Sequence, residues 1–483
     1  MLTFSYSNAW TATYQGDVRG VAWLKRLFTY TDMADTRHKQ RLGYFPSYCT
    51  LDTDGCRMSH GQVIHAVRHA KADGIPITIN DPSCRYLVES GPIPPDYLPE
   101  ITGYDYQLLS AQIALGSGHG LVVIATGGGK TVVIGMVLKA LATMTNVQGI
   151  LILIYSKDLL NQTAKRMEKY GVPSDDIGVI HSDIPPAKQA IAATKRIVLA
   201  THTSIAKYHG VIERTQYVLV DEGHRAVGPL YSALFGKLPN LVNILGFTAT
   251  PWDNEAERMK MLAIYGQILV NIPVRFLIDR GVLMNPEVYF IKLYYKDRDI
   301  KLCNQMEWRE AKTQFILEDR NRNLLPIVAL KKFGGRMLVI YDDLDHGEHL
   351  QQLYIEQGFE TRLAEGKTST KNRANAIEWF EQDCEPGQWG KVLLASKVFD
   401  EGVDIKGGCD IFFAIGAGKD VSKVAQRLGR ALRKNRSGKL RCFDCQDSNH
   451  PILSRWSSTR RGAIEDLKIP VKTISLEEFA VLT

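Results

Sequence analysis

Two short clusters in this chain carry residue types that do chemistry together. The first is Leu121-Val-Val-Ile-Ala-Thr-Gly-Gly-Gly-Lys130-Thr131. After Thr126, the residues Gly127, Gly128 and Gly129 lack Cβ atoms, so backbone N–H groups can turn inward and approach phosphate oxygens closely. Lys130 supplies a point charge for β- and γ-phosphates, and the Thr131 hydroxyl is a magnesium ligand. The apolar run Val132–Leu138 predicts a helix whose N-terminus adds partial positive charge. The second cluster is Asp221-Glu222-Gly223-His224, after the apolar run Tyr217–Val220. Asp221 is placed to hold magnesium, and Glu222 to orient or deprotonate an attacking water. The implied chemistry is hydrolysis of a nucleoside triphosphate.

Each cluster alone has a second reading. The first glycine of the general phosphate-loop pattern falls on Ile124, so the glycine run also fits a turn in an unrelated fold. The acidic pair also fits a helix N-cap with extra acid in the first turn. The pairing weakens the N-cap reading, because 91 residues separate Lys130 from Asp221, which leaves room for intervening strands and helices.

The elements that must position these clusters follow from hydrophobic patterning. Leu121–Ala125, Ile150–Tyr155, Ile197–Thr201, Tyr217–Val220 and Ile244–Phe247 are short aliphatic runs bounded by polar or glycine residues, as buried parallel strands are. Met337–Tyr341, Val392–Ala395 and Ile411–Ile415 repeat the pattern. The expected organisation is a small α/β module over residues 1–100, a phosphate-binding α/β domain over 101–283 and a second α/β domain over 284–483. A proline-rich stretch, Gly91-Pro-Ile-Pro-Pro95 and Pro99, is read as a linker or turn after the first of these. In the first module, Ser59-His-Gly-Gln62 predicts a capping box. The helix it opens has Val63, Val67 and Ala70 on one face and His65, Arg68 and His69 on another, and a strand at Ile75–Ile79 follows.

Composition narrows the class. With 45% hydrophobic and 23% charged residues, the 483-residue chain has enough apolar surface to bury a core in each domain. A net charge of +7 is compatible with a polyanionic partner without demanding one. The eight cysteines are scattered, so no disulfide framework is implied. Cys442 and Cys445 form a lone CxxC with no second ligand pair, so no structural zinc is expected. No segment approaches the roughly 20 apolar residues that span a bilayer, and the N-terminus lacks signal-peptide regions. The expectation is a cytoplasmic protein, in the host cytoplasm if viral, with no membrane contact.

With both clusters in view, the sequence resembles the superfamily 2 helicases. Asp221–His224 resembles their DExH box. Thr248-Ala249-Thr250-Pro251 resembles the motif that couples hydrolysis to domain movement, through Thr248 and Thr250. Gln426-Arg427-Leu428-Gly429-Arg430-Ala431-Leu432-Arg433 resembles the last motif, QRxGRxxR, and Val398–Ile405, with Glu401-Gly402-Val403-Asp404, the one before it. The motifs stand in family order across residues 104–433. The resemblance implies α/β architecture with two tandem RecA-like parallel-sheet domains after the small N-terminal α/β domain, with ATP and Mg2+ as cofactors. It implies that Gln107 reads adenine, that Arg430 and Arg433 are arginine fingers, that Gln426 positions the γ-phosphate or water, and that Gly402 and Asp404 serve the nucleotide or its coupling network. A guanidinium suits the finger role, being always charged and forked to fit phosphate; a solvated helix face is the other reading.

The family grips a phosphate backbone across both lobes. The matching positions are Ser156, Gln162, Thr201 and Thr203 in the first lobe and Ser396 and Lys397 in the second. Strand-end capping is the plainer reading of each. Thr-Ala-Thr-Pro, the opening Gln426 and Arg320-Asn-Arg322-Asn323 resemble DNA motors, nearest in type to the UvsW-like branch-migration helicases of phages. The expected partner is DNA, single-stranded, forked or branched, bound by a monomer. An RNA helicase, the motor subunit of a restriction system and a non-hydrolysing nucleic-acid scaffold are the alternatives. Residues 1–100 carry equal numbers of basic and acidic residues, so net charge does not decide whether that module grips DNA.

Overall fold

The computed structural model describes residues 1–6, 10–31, 47–51, 56–80, 92–252, 254–293, 297–365, 368, 370–382, 390–396, 405, 407–416, 418 and 421–482. Its contacts form two compact units. One is Met1–Ala125 with Gly129–Ile272, the other Pro273–Thr483 with Thr126–Gly128.

The first unit opens with β1 (Leu2–Tyr6), β2 (Thr11–Gly16), α1 (Val18–Leu27), β3 (Thr29–Thr31), β4 (Ser47–Cys49), β5 (Arg57–Ser59), α2 (His60–Ala70) and β6 (Ile77–Asn80). A mixed sheet has the order β5-β2-β1-β6, parallel only between β1 and β6, and β3 pairs with β4 separately. The predicted capping box is present: the Ser59 hydroxyl accepts from Gln62 N, and the Gln62 amide oxygen accepts from Ser59 N at 2.9 Å. The predicted faces of α2 need correction. Val67 is 39% exposed, whereas His65 is buried. The helix is held on two sides, by its own sheet and by a later helix, so its buried stripe is wider than one apolar row, and His65 fills it against Phe28 at 5.7 Å between ring centres.

The same unit continues with α3 (Asp105–Ser117), β7 (Gly120–Ile124), α4 (Lys130–Thr143), β8 (Ile150–Leu153), β9 (Ile177–Ile180), β10 (Ile197–Ala200), β11 (Tyr217–Asp221), β12 (Asn243–Thr248), α5 (Glu255–Tyr265) and β13 (Ile268–Ile272). These strands form one parallel sheet, β13-β7-β12-β11-β8-β10-β9. Helices cover both faces, which is why its inner strands are aliphatic throughout. The described part of the proline-rich stretch is no free tether. Ile93 and Leu98 are buried in this core, and Gly103 N donates to Pro95 O at 2.8 Å.

The second unit holds β14 (Glu287–Lys292), α6 (Arg320–Phe333), β15 (Arg336–Ile340), β16 (Glu360–Ala364), β17 (Lys391–Ala395), β18 (Ile411–Ala414), α7 (Val421–Ala431), β19 (Arg441–Gln446), α8 (Pro451–Asp466) and β20 (Val471–Ile474). Its seven strands are also parallel, in the order β16-β17-β15-β18-β19-β14-β20. Two tandem seven-stranded parallel sheets, preceded by a small mixed sheet, are the RecA-like pair expected from the sequence. Cys442 and Cys445 sit three apart on β19, so they face opposite sides of the sheet. Burial pushes both thiols up, Cys445 to about 12, and they are neutral core residues. Among the described residues, no helix is long and apolar enough to cross a membrane.

Candidate active site

The phosphate-loop segment runs from the end of β7 into α4. Gly127 and Gly129 have φ of +85° and +86°, a backbone region in which side chains other than glycine are strained. At Gly129 the space of a Cβ is taken by the amide of Gln107. Gln107 lies in the first turn of α3, buried, with its amide oxygen accepting from Tyr104 N at 3.0 Å. The residue expected to read adenine therefore abuts the loop, while its oxygen caps its own helix. Thr131 is half-buried in the first turn of α4.

Lys130 is the meeting point of the two clusters. Its ammonium lies 3.0 Å from Asp221 Oδ1 and donates to Glu222 Oε1. Burial opposes its charge, but the two carboxylates outweigh that and hold its pKa above the ordinary lysine value. β12 runs between β7 and β11, and the long lysine side chain bridges the gap. Glu222 has φ +51° and ψ +51°, rare for a residue with a side chain. That turn breaks the strand direction immediately after Asp221, and the Asp221 carboxylate accepts from Glu222 N at 2.9 Å.

His224 links this turn to the next strand. Its Nδ1 lies 3.4 Å from Glu222 Oε2 and 2.9 Å from Thr248 Oγ1, at the end of β12. The Thr248 hydroxyl also donates to Thr250 O at 3.0 Å and accepts from Thr250 N at 3.3 Å. Burial depresses the His224 pKa, despite the pull of Glu222 in the other direction. The two threonines read from the sequence thus belong to one hydrogen-bonded path from the acidic turn, and His224 is the link that sequence reasoning left without a role.

The residues expected along a nucleic-acid path lie at carboxyl ends of strands. Ser156 follows β8 as the N-cap of the helix Lys157–Lys169, half-buried and with no side-chain cap bond, and Gln162 is exposed on that helix. Thr201 follows the neighbouring β10. It is buried, and its hydroxyl donates to Ser204 Oγ at 2.9 Å, whereas Thr203 is exposed. Neither Thr201 nor Ser156 makes a side-chain cap bond to its helix.

In the second unit, Ser396 is buried directly after β17. Lys397, Gly402 and Asp404 lie outside the described residues. Gln426 and Arg430 on α7, and Arg433 just beyond it, are half-buried. Arg427, between them, is bound to Asp342 Oδ1 at 3.0 Å and anchors the helix. Its signal was the alternation of arginines in QRxGRxxR, since not all can face one ligand. Arg322 and Asn323 are wholly buried. Arg322 pairs with Asp447, and Asn323 Oδ1 meets His346 Nε2 at 3.0 Å. Arg460 pairs with Asp444 through bonds of 2.8 and 2.9 Å. The stretch Arg320–Asn323 is thus, at Arg322 and Asn323, internal scaffolding.

Comparison with known proteins gives two family matches. Residues 102–253 match the type III restriction enzyme res subunit family, and residues 319–435 match the helicase conserved C-terminal domain. The putative helicase 22 of Sulfolobus islandicus filamentous virus (isolate Iceland/Hveragerdi) is 22% identical over 366 residues, covering 72% of this chain and 64% of its own length. The ATP-dependent DNA helicase uvsW of Enterobacteria phage T4 is 24% identical over 220 residues, covering 45% of this chain and 43% of its own. This chain therefore spans less than two thirds of the length of either relative. The solved structure of the ATP-dependent type ISP restriction-modification enzyme LlaBIII bound to DNA shares the fold, with a TM-score of 0.57 at 14% identity over 78% of this chain and 32% of that one.

Proposed function

We propose, since the chain belongs to the superfamily 2 helicases, that it is an ATP-driven motor that translocates on DNA and remodels forked or branched substrates. The observation that carries this reading is the convergence of Lys130, Asp221 and Glu222 at one point beside a glycine loop. Asp221 and Thr131 offer hard oxygen donors that fit magnesium, which when bound neutralises charge on the phosphates. Lys130, held protonated, exchanges its carboxylate partners for phosphate oxygens. Glu222, turned out of the strand direction, accepts a proton from the attacking water. His224, Thr248 and Thr250 transmit the state of that turn to the next strand. Arg430 and Arg433 neutralise charge in the transition state. Ser156, Gln162, Thr203, Ser396 and Lys397 contact phosphates, so sequence preference is weak.

On this reading residues 1–100 form an accessory module, 101–283 a nucleotide-binding domain and 284–483 a second motor domain. In the accessory module, Arg19, Trp23 and Arg26 line one groove with Asp73, whose carboxylate accepts from Trp23 Nε1 at 2.7 Å. This supports a grip on duplex or junction DNA.

The test is steady-state ATPase with magnesium alone and with single-stranded, duplex or branched DNA or RNA, beside Glu222→Gln. Stimulation by DNA, strongest on branches and lost in Glu222→Gln, is expected of a monomer in solution. Stimulation by RNA alone would replace the DNA reading. ATP binding without hydrolysis on any polymer would leave a scaffold.

A further inference from the structure

The amino-terminal module is packed into the motor. Met259 and Leu262 of α5 belong to the same apolar cluster as Phe4, Trp23 and Val63, and Trp10 lies 5.2 Å from Phe235 between ring centres. The closest approach is at the carboxyl end of α5. There, the last carbonyls have no partner within their own helix and must find one elsewhere. The Ser59 hydroxyl donates to Ala263 O. Gly61 comes so close that a Cβ there would stand 2.5 Å from Ala263 O and 2.6 Å from Ile264 O. His119 takes the next carbonyl, with Nε2 at 2.9 Å from Ile264 O. Its Nδ1 accepts from Ile244 N at 3.3 Å, so the proton is on Nε2 and the ring is a donor to the helix end. His60, the first residue of α2, stands edge-on to His119 at 4.4 Å. The N-terminus of α2 thus meets the C-terminus of α5, a head-to-tail arrangement of helix dipoles that favours contact.

The next residue along α5 is Tyr265. Its hydroxyl donates to Gly223 O at 3.2 Å, inside the acidic turn, and its ring fills the space that a Cβ on Gly246 of β12 would need. Burial pushes the phenol far up, so it remains a donor at every working pH.

We propose that Tyr265 is a positioning residue for ATP hydrolysis, and that the amino-terminal module sets it by clamping the end of α5. Gly223 directly follows Glu222, whose backbone sits in the left-handed region, so the turn needs outside support to hold that geometry. Tyr265 supplies it from one side; Ser59 and Gly61 fix where Tyr265 stands. The module is then part of the hydrolysis site without touching nucleotide, and DNA bound on the module acts on the turn through three successive residues, Ala263, Ile264 and Tyr265. The inference rests on the reading of Glu222 as the group that works on water.

Full-length Tyr265→Phe, Ser59→Ala and Gly61→Ala are compared with the parent for kcat and KM, melting temperature, and amide exchange at residues 222–226 without nucleotide. Loss of one hydrogen bond predicts a fall in kcat of about threefold to tenfold in Tyr265→Phe, with KM for ATP within about twofold. Exchange at 222–226 should quicken while α4 is unchanged. Ser59→Ala and Gly61→Ala should show the same pattern, and combining either with Tyr265→Phe should add little, because they act on one element. Lowered melting temperature with unchanged kcat and unchanged exchange at 222–226 would overturn the proposal, as would fully additive effects. If the parent hydrolyses no ATP with any polymer, the motor reading fails, and exchange still decides whether the module sets the turn.

Discussion

The two seven-stranded sheets share a parallel topology but end differently. At the carboxyl edge of the first, a lysine and two carboxylates meet beside a glycine loop, where Lys130 and Glu222 keep part of their surface in water. At the carboxyl edge of the second, Arg322 with Asp447, Arg460 with Asp444, and Arg427 with Asp342 are almost wholly buried. Similar charges are therefore used for opposite ends. In the first edge they keep part of their surface in water, and on the proposed function a ligand takes them over. In the second they are buried, each ion paired with an opposite charge, and they fix the loop and helix that carry Arg430. A charge cluster on this architecture reads as a site only where a partner is left open to displacement.

That contrast predicts which property each edge loses on mutation. Glu222→Gln should lower kcat by about 10²–10⁴-fold while leaving the urea midpoint unchanged; an equal loss of stability would erase the distinction. Arg322→Met should leave buried Asp447 without its closer cation, with Arg460 3.7 Å away, and destabilise the second unit by about 3–5 kcal/mol, read by urea unfolding, whereas Arg322→Met with Asp447→Leu should recover much of that. A single mutant as stable as the parent would show that the second edge is not sealed.

Acid should separate the edges further. Burial, followed by the charge of Arg322, pushes His346 down to about 3 from 6.5. A depressed histidine contributes stability that is fully present above pH 6.5 and is lost as pH falls from there toward 3. The urea midpoint of the second unit should drop between pH 7 and pH 4, and His346→Asn should flatten that slope. An unaltered slope would put the acid sensitivity elsewhere. The smallest effect expected is at Ser156, where replacement by Ala removes one phosphate contact, about 0.5–1.5 kcal/mol. It should weaken DNA binding by twofold to tenfold with unchanged ATPase at saturating DNA. Unaltered affinity would remove Ser156 from the phosphate path.

The comparison also separates what the sequence made visible from what it hid. Inner strands such as β7, β8 and β12 are buried on both faces and announce themselves as aliphatic runs. The strands absent from that reading are mostly at sheet edges: β9 and β13 in the first unit, β16 and β20 in the second. Half-exposed, they carry Gly178, Asn271, Arg362 and Lys472, and their apolar signal is diluted. β19 was hidden differently, by a buried carboxylate, Asp444, that makes sense only with Arg460 16 residues on. The site itself was more legible, because Lys130, Asp221 and Glu222 stand in compact motifs. His224, Arg427 and Tyr265 were not, because their partners Thr248, Asp342 and Gly223 are distant in sequence and no local pattern pairs them. The motif-like Arg322 is different again, buried and paired with Asp447, which lies 125 residues on.

The bond of Lys130 with Asp221 and Glu222 has one further consequence. In this form the protein carries its own competitor for the phosphate-binding ammonium. A ligand has to offer more negative charge, in better geometry, than two fixed carboxylates before the lysine will leave them.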